Sequence, residues 1–520
     1  MGRRRLRRAG RWYPGKAMNR TAHSSRRFAA NRQRFPVVIA VAGLALPAIA
    51  AGVLFGPFAA FATPFALAVL VAALRDYRVA AWITVFLLPV APTQLVPHQM
   101  LGVSGVYLVY LSLLLSISSL LLTRALRPGQ LVFPAWPRSF LLYLAVFIGS
   151  GLHGTFYTES TPDYFVVLDV IKSASVGTYL QVTLFNSGVV LGVAFVLSVA
   201  MCNARRPGLY LVPVFASALV FAFAVFYLAL TSGSSLKDLA SQDSRHYLSD
   251  IGLHANELGL LLNTAWALAL FSLFQARGVA LKAALGATSV VLGLAVLLTF
   301  SRGAWLGSLA VIAYLLYVRR NVVLFVAALL VLPAAALLMP QSVAERATHE
   351  MGSKDVDALS SGRVDEIWQP LLPEILHSPL LGSGAGSVLW SEAARQHKIL
   401  PVGHPHSAYL GALLDLGVLG TIAVLLFFRH MWRLFRQLGA AAPDRLWRGF
   451  FHGAAACVLL LFVQGMTDDS FLPGRTQAFL WIGYGAAVGF AARLKAREGS
   501  ARTAPASARM AAPNLKATMQ

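Results

Sequence analysis

Apolar and polar positions fall in long blocks along this chain rather than alternating residue by residue. The apolar blocks lie approximately at residues 36–54, 57–73, 79–91, 101–122, 139–152, 186–202, 208–230, 253–274, 283–300, 304–318, 321–339, 408–428, 451–466 and 477–492. A helix needs ~20 apolar residues to cross a bilayer, so blocks of this kind predict about 12 to 14 transmembrane helices. No repeat at a fixed period is visible. The expected fold class is an all-α polytopic membrane protein, a helix bundle with one long loop domain at residues 340–407, because helices satisfy their own backbone in lipid.

Composition sharpens this. The chain has 520 residues, 57% of them hydrophobic and 12% charged, which is more apolar surface than a water-soluble fold can bury. Two cysteines, Cys202 and Cys457, lie far apart and offer neither a disulfide framework nor a thiolate metal site. The net charge of +23 would suit nucleic acid in a soluble protein. Here Lys and Arg gather in the first 35 residues, in short loops and near the C-terminal end. That placement fits cytoplasmic retention and contact with anionic lipid headgroups, and no nucleic-acid partner is expected. Ala48-Ile49-Ala50 imitates a signal-peptide cleavage site, but the basic region before it is too long and the apolar block continues past it, so an uncleaved first helix is expected.

Charge also orients the bundle. With the N terminus inside, the inside connections fall at 75–78, 123–127, 205–206, 277–282, 319–320, 429–436 and from Arg493 onward, and every one is basic, as the positive-inside rule requires. The outside segments are then 92–100, 153–185, 231–251, a corner at Ser301, 340–407 and 467–475. The organisation expected is a basic cytoplasmic segment at 1–35, a transmembrane domain at 36–493 with 340–407 as its large outside loop, and a cytoplasmic tail at 494–520. Both end segments are rich in Arg, Ala, Ser and Pro and are expected to be disordered.

The candidate chemistry sits on the outside. Arg302 lies in "LLTFSRGAWLGSL", between two apolar runs with no acid beside it. A charge at such a depth is costly and is usually retained for a use. An arginine snorkelling to headgroups is the plainer alternative. In "SSGRVDEIWQPLLPEILHSPLLGSGAGSV", Arg363 precedes Ile367, Leu371, Leu372 and Ile375 at helical spacing, while Pro370 and Pro373 interrupt. Short amphipathic pieces lying on the membrane surface are expected. The run Gly382–Gly386 could cradle a phosphate, but it follows no strand, and a flexible turn is the better expectation. In "PVGHPHSAYLGALLDLGVLG", His404 and His406 flank Pro405, which favours extended backbone before a helix from Ser407. A histidine there can accept a proton near neutral pH. Zinc held by this pair with His377 or His397 lacks a supporting cysteine or acidic cluster. Asp415 and Glu257 are intramembrane acids suited to a polar packing contact or a cap.

Read in order, "TFSRGAWLG", "SGRVDEIW", "SPLLGSGAG" and "HPHSAYLGALLDLGVLG" resemble the bacterial O-antigen ligase and polymerase superfamily, over about Leu253 to Gly420. The resemblance implies a metal-independent glycosyltransferase without cofactor. Its donor would be a glycan on undecaprenyl pyrophosphate, used at the periplasmic face of the inner membrane. It implies Arg302, Arg363 and His406 as the catalytic residues, the arginines on the pyrophosphate and His406 as the base. His404 and Tyr409 are expected to join the arginines in binding substrate. The usual His-Asn pair reads His406-Ser407 here, which puts the Asn role in question. The acceptor expected is lipid A–core oligosaccharide, as for a ligase. The alternatives are a polymerase or a transferase to protein hydroxyls. A transporter of lipid-linked sugar would more often show repeated halves and a central polar path.

Overall fold

The computed structural model describes residues 57–91, 93–96, 99–100, 103–104, 107–233, 247–248, 250–337, 362–467 and 470–503. The predicted helix at 36–54, the first part of the long loop, the terminal segment 1–35 and residues 504–520 of the predicted tail at 494–520 lie outside the described residues; the tail's first ten residues continue a helix to Thr503. The chain divides into two compact units, 1–75 and 76–520. In the first, helix α1 runs Pro57–Arg75.

The second unit holds α2 (Tyr77–Val90), α3 (Leu108–Leu126), α4 (Arg138–Gly154), α5 (Asn186–Cys202), α6 (Leu211–Thr231), α7 (Ala255–Leu273), α8 (Val279–Leu298), α9 (Arg302–Arg319), α10 (Val322–Leu337), α11 (Ala408–Ala441), α12 (Arg445–Gln464) and α13 (Ala478–Thr503). Two two-residue strands, Gln99–Met100 and Val103–Ser104, pair antiparallel. Six helical stretches among the described residues are long and apolar enough to cross a membrane by length and composition. The protein is an all-α polytopic membrane protein.

Small residues set the closest helix contacts. On α12, a Cβ at Gly449 or Gly453 would meet α7 backbone atoms at 2.5 and 2.6 Å. On α13, Gly485 and Gly489 press as tightly on the α5 backbone. Both pairs are spaced by four residues, the small-xxx-small packing that brings helices together when lipid offers no hydrophobic drive. Aromatic rings fill the remaining core. Tyr143 stacks on Phe427 at 4.4 Å and Phe427 on Trp481 at 5.7 Å, all three buried.

The bundle has two distinct ends. At one, the segments predicted to be outside meet each other: Gln94 N donates to Ile251 O (3.0 Å), Arg363 to Thr467 O, and Tyr164 from the 153–185 segment to Ala394 O (3.1 Å). At the other, basic residues brace the predicted inside connections. Arg78 donates to Asn203 O (2.9 Å), Arg493 to Ala204 O, and Arg319 lies over the Phe274 ring. Arg302 and Arg319 begin and end the same 18-residue helix, so they stand about 27 Å apart.

Three local expectations are corrected. Residues 429–436 are not a connection but continue α11 to Ala441. Arginines do not stop a helix, and Met431, Phe435 and Leu438 stay buried at helical spacing. Between Arg363 and Leu376 the chain does make short helical pieces, but Ile367 and Leu371 do not face lipid. They bury with Phe165, Val388, Ala394, Leu410 and Leu414 in a separate small core, while Leu372 and Leu376 stay exposed.

The third correction concerns the glycine run. Helix α11 is broken at Gly417, φ +62 and ψ −173, a conformation essentially restricted to glycine. The break strips carbonyls and amides of helical partners, which is costly inside a membrane protein. Residues 379–384 supply replacements. Ser383 N donates to Leu414 O (2.8 Å) and Gly384 N to Asp415 O (3.1 Å), while Val418 N and Leu419 N donate to Pro379 O and Leu380 O. The approach is so close that a Cβ on Gly417 would lie 2.4 Å from Leu380 C, and one on Gly382 2.4 Å from Asp415 C. The run is neither a phosphate cradle nor a loose turn; the amides of Ser383 and Gly384 are spent on the broken helix, and those of Gly382 and Ala385 donate to Ser378 O and Ser150 O. Asp415 completes the lock, with Oδ1 accepting from Ser387 N (3.0 Å) and Oγ (2.7 Å).

Candidate functional site

Arg302 is the first residue of α9, where its position is fixed from α7. Ser301 caps α9, its Oγ accepting from Ala304 N (3.2 Å) and donating to Asn256 Oδ1 (2.7 Å). One turn on, Asn263 Nδ2 donates to Ala304 O (2.7 Å). Glu257, expected as an intramembrane acid, has a capping role: Oε2 accepts from His254 N (2.9 Å), and Oε1 pairs with Arg475 at 3.5 Å.

His406 enters α11 by the same local device that Phe300 uses for α9. Each is in the left-handed region, φ +50 and +48, and each is followed by a capping serine. Ser407 is extended, φ −154, whereas the stretch before it, expected to be extended, turns left-handed at His406. A non-glycine residue there costs about 1–2 kcal/mol, and histidine is among the types that tolerate it best. Ser407 Oγ accepts from Leu410 N (3.3 Å). Serine and asparagine cap helices about equally well, so replacing the usual Asn leaves this entry intact. His404 Nδ1 accepts from His406 N (3.3 Å), and the two rings sit 4.2 Å apart, near edge-on. His404 thus shapes the turn that presents His406.

The three predicted residues converge through a turn that sequence reasoning did not single out, Gly465–Thr467 at the end of α12. Arg363 Nη1 donates to Thr467 O (2.6 Å). Ala408 N donates to Gly465 O (2.8 Å). Gly303, next to Arg302, lies so near Thr467 that a Cβ would sit 2.9 Å from its Oγ1. A second tie runs from Trp368, in the Arg363 segment, whose Nε1 donates to Pro405 O (2.8 Å). Arg302, Arg363 and His406 are each half-buried, so their polar ends border both protein and solvent. Thr467 and Gly465 act through backbone carbonyls, which no side-chain pattern announces; Trp368 was visible only as an aromatic beside Arg363.

Tyr409 is the partly exposed neighbour. Its OH donates to Phe462 O (3.0 Å) and its ring meets Phe471 edge-on, which ties α11 to α12 beside the site. The histidines of the zinc alternative have separate company, His377 on Glu374 and His397 on Tyr164. Among the described residues no group of three or more His, Cys, Asp or Glu is disposed to hold a metal ion.

A family profile described as O-antigen ligase matches residues 287–425, the stretch that carries Arg302, Arg363 and His406 together. Over this stretch the chain is similar to the O-antigen ligase family. Members of this superfamily are membrane glycosyltransferases of ligase or polymerase type that handle lipid-linked glycans. No curated protein matches the chain. The profile runs from α8 into α11, so it spans Arg302, Arg363, His406 and the glycine lock, while Phe165 of the loop core and the Gly465–Thr467 turn lie outside it.

Proposed function

We propose that this protein is an O-antigen ligase. It transfers a glycan from undecaprenyl pyrophosphate to lipid A–core oligosaccharide at the periplasmic face of the bacterial inner membrane. The observation that carries the reading is the meeting, on the Gly465–Thr467 turn, of Arg363 with Gly303 and Ala408, the near chain neighbours of Arg302 and His406, at the end of the bundle opposite the basic connections. By the positive-inside rule that end is periplasmic, which makes 340–407 the periplasmic loop of a transmembrane catalytic domain spanning 36–493.

Arg302 and Arg363 bind the pyrophosphate with charge-assisted hydrogen bonds. His404 and Tyr409 flank the substrate. His406 takes the proton from the acceptor hydroxyl as its oxygen attacks the anomeric carbon. The bond from that carbon to the pyrophosphate oxygen breaks, and undecaprenyl pyrophosphate leaves with the electron pair. One displacement inverts the anomeric configuration. The arginines stabilise the negative charge that grows on the leaving group.

The test is incubation of purified protein with a defined lipid-linked glycan and a choice of acceptors, with products identified by mass. Glycosylated lipid A–core is expected. Product on a second glycan or on a protein would move the acceptor assignment to the polymerase or protein-transferring branch. No transfer to any acceptor would leave the transporter reading.

A further inference from the structure

Beside the loop core, on the side of α11 that carries Asp415, lies a cavity of about 560 Å³, within the range of small-molecule sites. Tyr157, Trp390, Glu374, His377, Arg395 and Ser383 are among its lining. Tyr157 and Trp390 stack nearly parallel, 5.9 Å between centroids. Glu374 is fixed by Ala393 N on Oε1 (3.0 Å) and by His377 Nδ1 on Oε2 (3.2 Å). Aromatic faces, a fixed carboxylate, a histidine, an arginine and serine hydroxyls together suit a ligand with C–H faces and many hydroxyls that both donate and accept. The carboxylate in the wall disfavours a polyphosphate.

A second cavity, of about 530 Å³, runs along α4 and α11 and is almost wholly apolar, lined by Leu142, Val146, Ile422 and Leu426 among others. The two cavities share His153 and Leu381, so the apolar groove and the polar pocket adjoin. Leu142, Ile422 and Leu426 are each nearly half exposed, on helices α4 and α11 that the bundle offers to lipid.

We propose that pocket and groove form one amphiphile site for a glycolipid, with the saccharide head against Tyr157 and Trp390 and the hydrocarbon tail along α4 and α11. Resting on the glycosyl-transfer reading, this site holds the second lipid-borne substrate, the one that brings no pyrophosphate. Both cavities flank the lock in α11: Ser150 of the groove donates from Oγ to Asp415 O (3.1 Å) and Ser387 of the pocket to Asp415 Oδ1 (2.7 Å), while His406 stands just before the first turn of the same helix.

The test uses the full chain in phosphatidylcholine nanodiscs and a decyl glucoside carrying a diazirine in its alkyl chain. Crosslinks are expected on α4 and α11 peptides and should be displaced by excess unlabelled decyl maltoside. Gly149 lines the groove with nothing within 4 Å of a Cβ, so the first carbon of a side chain there enters open space and Gly149→Phe serves to fill the groove. Labelling should fall about fivefold or more in Gly149→Phe and remain at wild-type level in Gly149→Ala. Tyr157→Ala should weaken displacement by about fivefold, and Tyr157→Phe, which keeps the ring, should not. Equal labelling by diazirine-bearing decanol, undisturbed by decyl maltoside, would reduce the groove to ordinary lipid contact and overturn the proposal. So would wild-type labelling in both Gly149→Phe and Tyr157→Ala with unchanged melting. Labelling needs no turnover. Normal transfer without glucoside labelling would therefore remove this site alone, and labelling in a protein that transfers nothing would support the site while removing the ligase reading.

Discussion

His406 and the two arginines should fail in different ways when replaced. His406→Ala removes a proton acceptor but no donor contact, so turnover should fall by on the order of 10² to 10⁴ with donor affinity nearly unchanged. Single-turnover transfer and donor binding, measured separately, check this; a well-folded His406→Ala protein at wild-type rate would move the base to His404. Arg302→Ala and Arg363→Ala should weaken binding and turnover together, since a phosphate contact serves ground and transition states alike. Arg302→Lys should restore only part of the loss because an ammonium lacks the planar fork. Arg363 also holds Thr467 O at 2.6 Å, so its alanine variant should in addition lower the melting temperature, which Arg302→Ala at the start of α9 should do less. Turnover should survive strong chelation, because arginines rather than a cation hold the pyrophosphate. Loss of activity with chelator, restored by one divalent metal, would return His404 and His406 to the role of ligands.

At the scale of elements, the broken helix α11 is the feature on which site geometry depends. Gly417→Ala places a Cβ against Leu380 backbone, which cannot swing away, and in a φ/ψ region closed to alanine. The expected cost is about 3 kcal/mol or more, read as a large drop in melting temperature in detergent. Asp415→Ala leaves Ser387 N and Oγ without their acceptor and should cost about 1–3 kcal/mol, whereas Asp415→Asn keeps an acceptor oxygen and should cost less. If Gly417→Ala melts like wild type, the lock is not what holds α11 in its broken form. The element boundaries themselves were largely legible. The block at 186–202 is helix α5 to the residue, since an apolar block in lipid has little choice but helix. The end of α11 was not legible, because interior arginines read as a loop when only charge is counted.

For the whole molecule, the two ends of the bundle should be accessible from opposite sides of the membrane. Lys398 is exposed on the loop end, while Cys202 is half-buried beside the basic connections and Cys457 is buried. In intact cells whose outer membrane admits the reagent, Lys398→Cys should react with an impermeant maleimide, and Cys202 should react only after the inner membrane is opened. The reverse order would place the arginines and His406 at the cytoplasm and end the proposed use of a periplasmic donor.

Sequence alone determined the properties that solvent and covalent order set. Apolar block length fixed the all-α membrane class, and the distribution of Lys and Arg fixed which connections share an end. The spaced pieces around Arg302, Arg363 and His406 fixed the candidate chemistry. Tertiary structure decided the properties that depend on backbone atoms far apart in the chain. The Gly465–Thr467 turn holds Arg363 and the start of α11 through carbonyls that every residue type carries, so no side-chain pattern could mark it. The Gly382–Gly386 run looked like a ligand cradle because its amides are the same groups that bind phosphate. Only the break at Gly417, about thirty-five residues later in the chain, shows that those amides already have partners. The pocket at Tyr157 and Trp390 joins segments more than two hundred residues apart, a juxtaposition created by packing rather than by spacing.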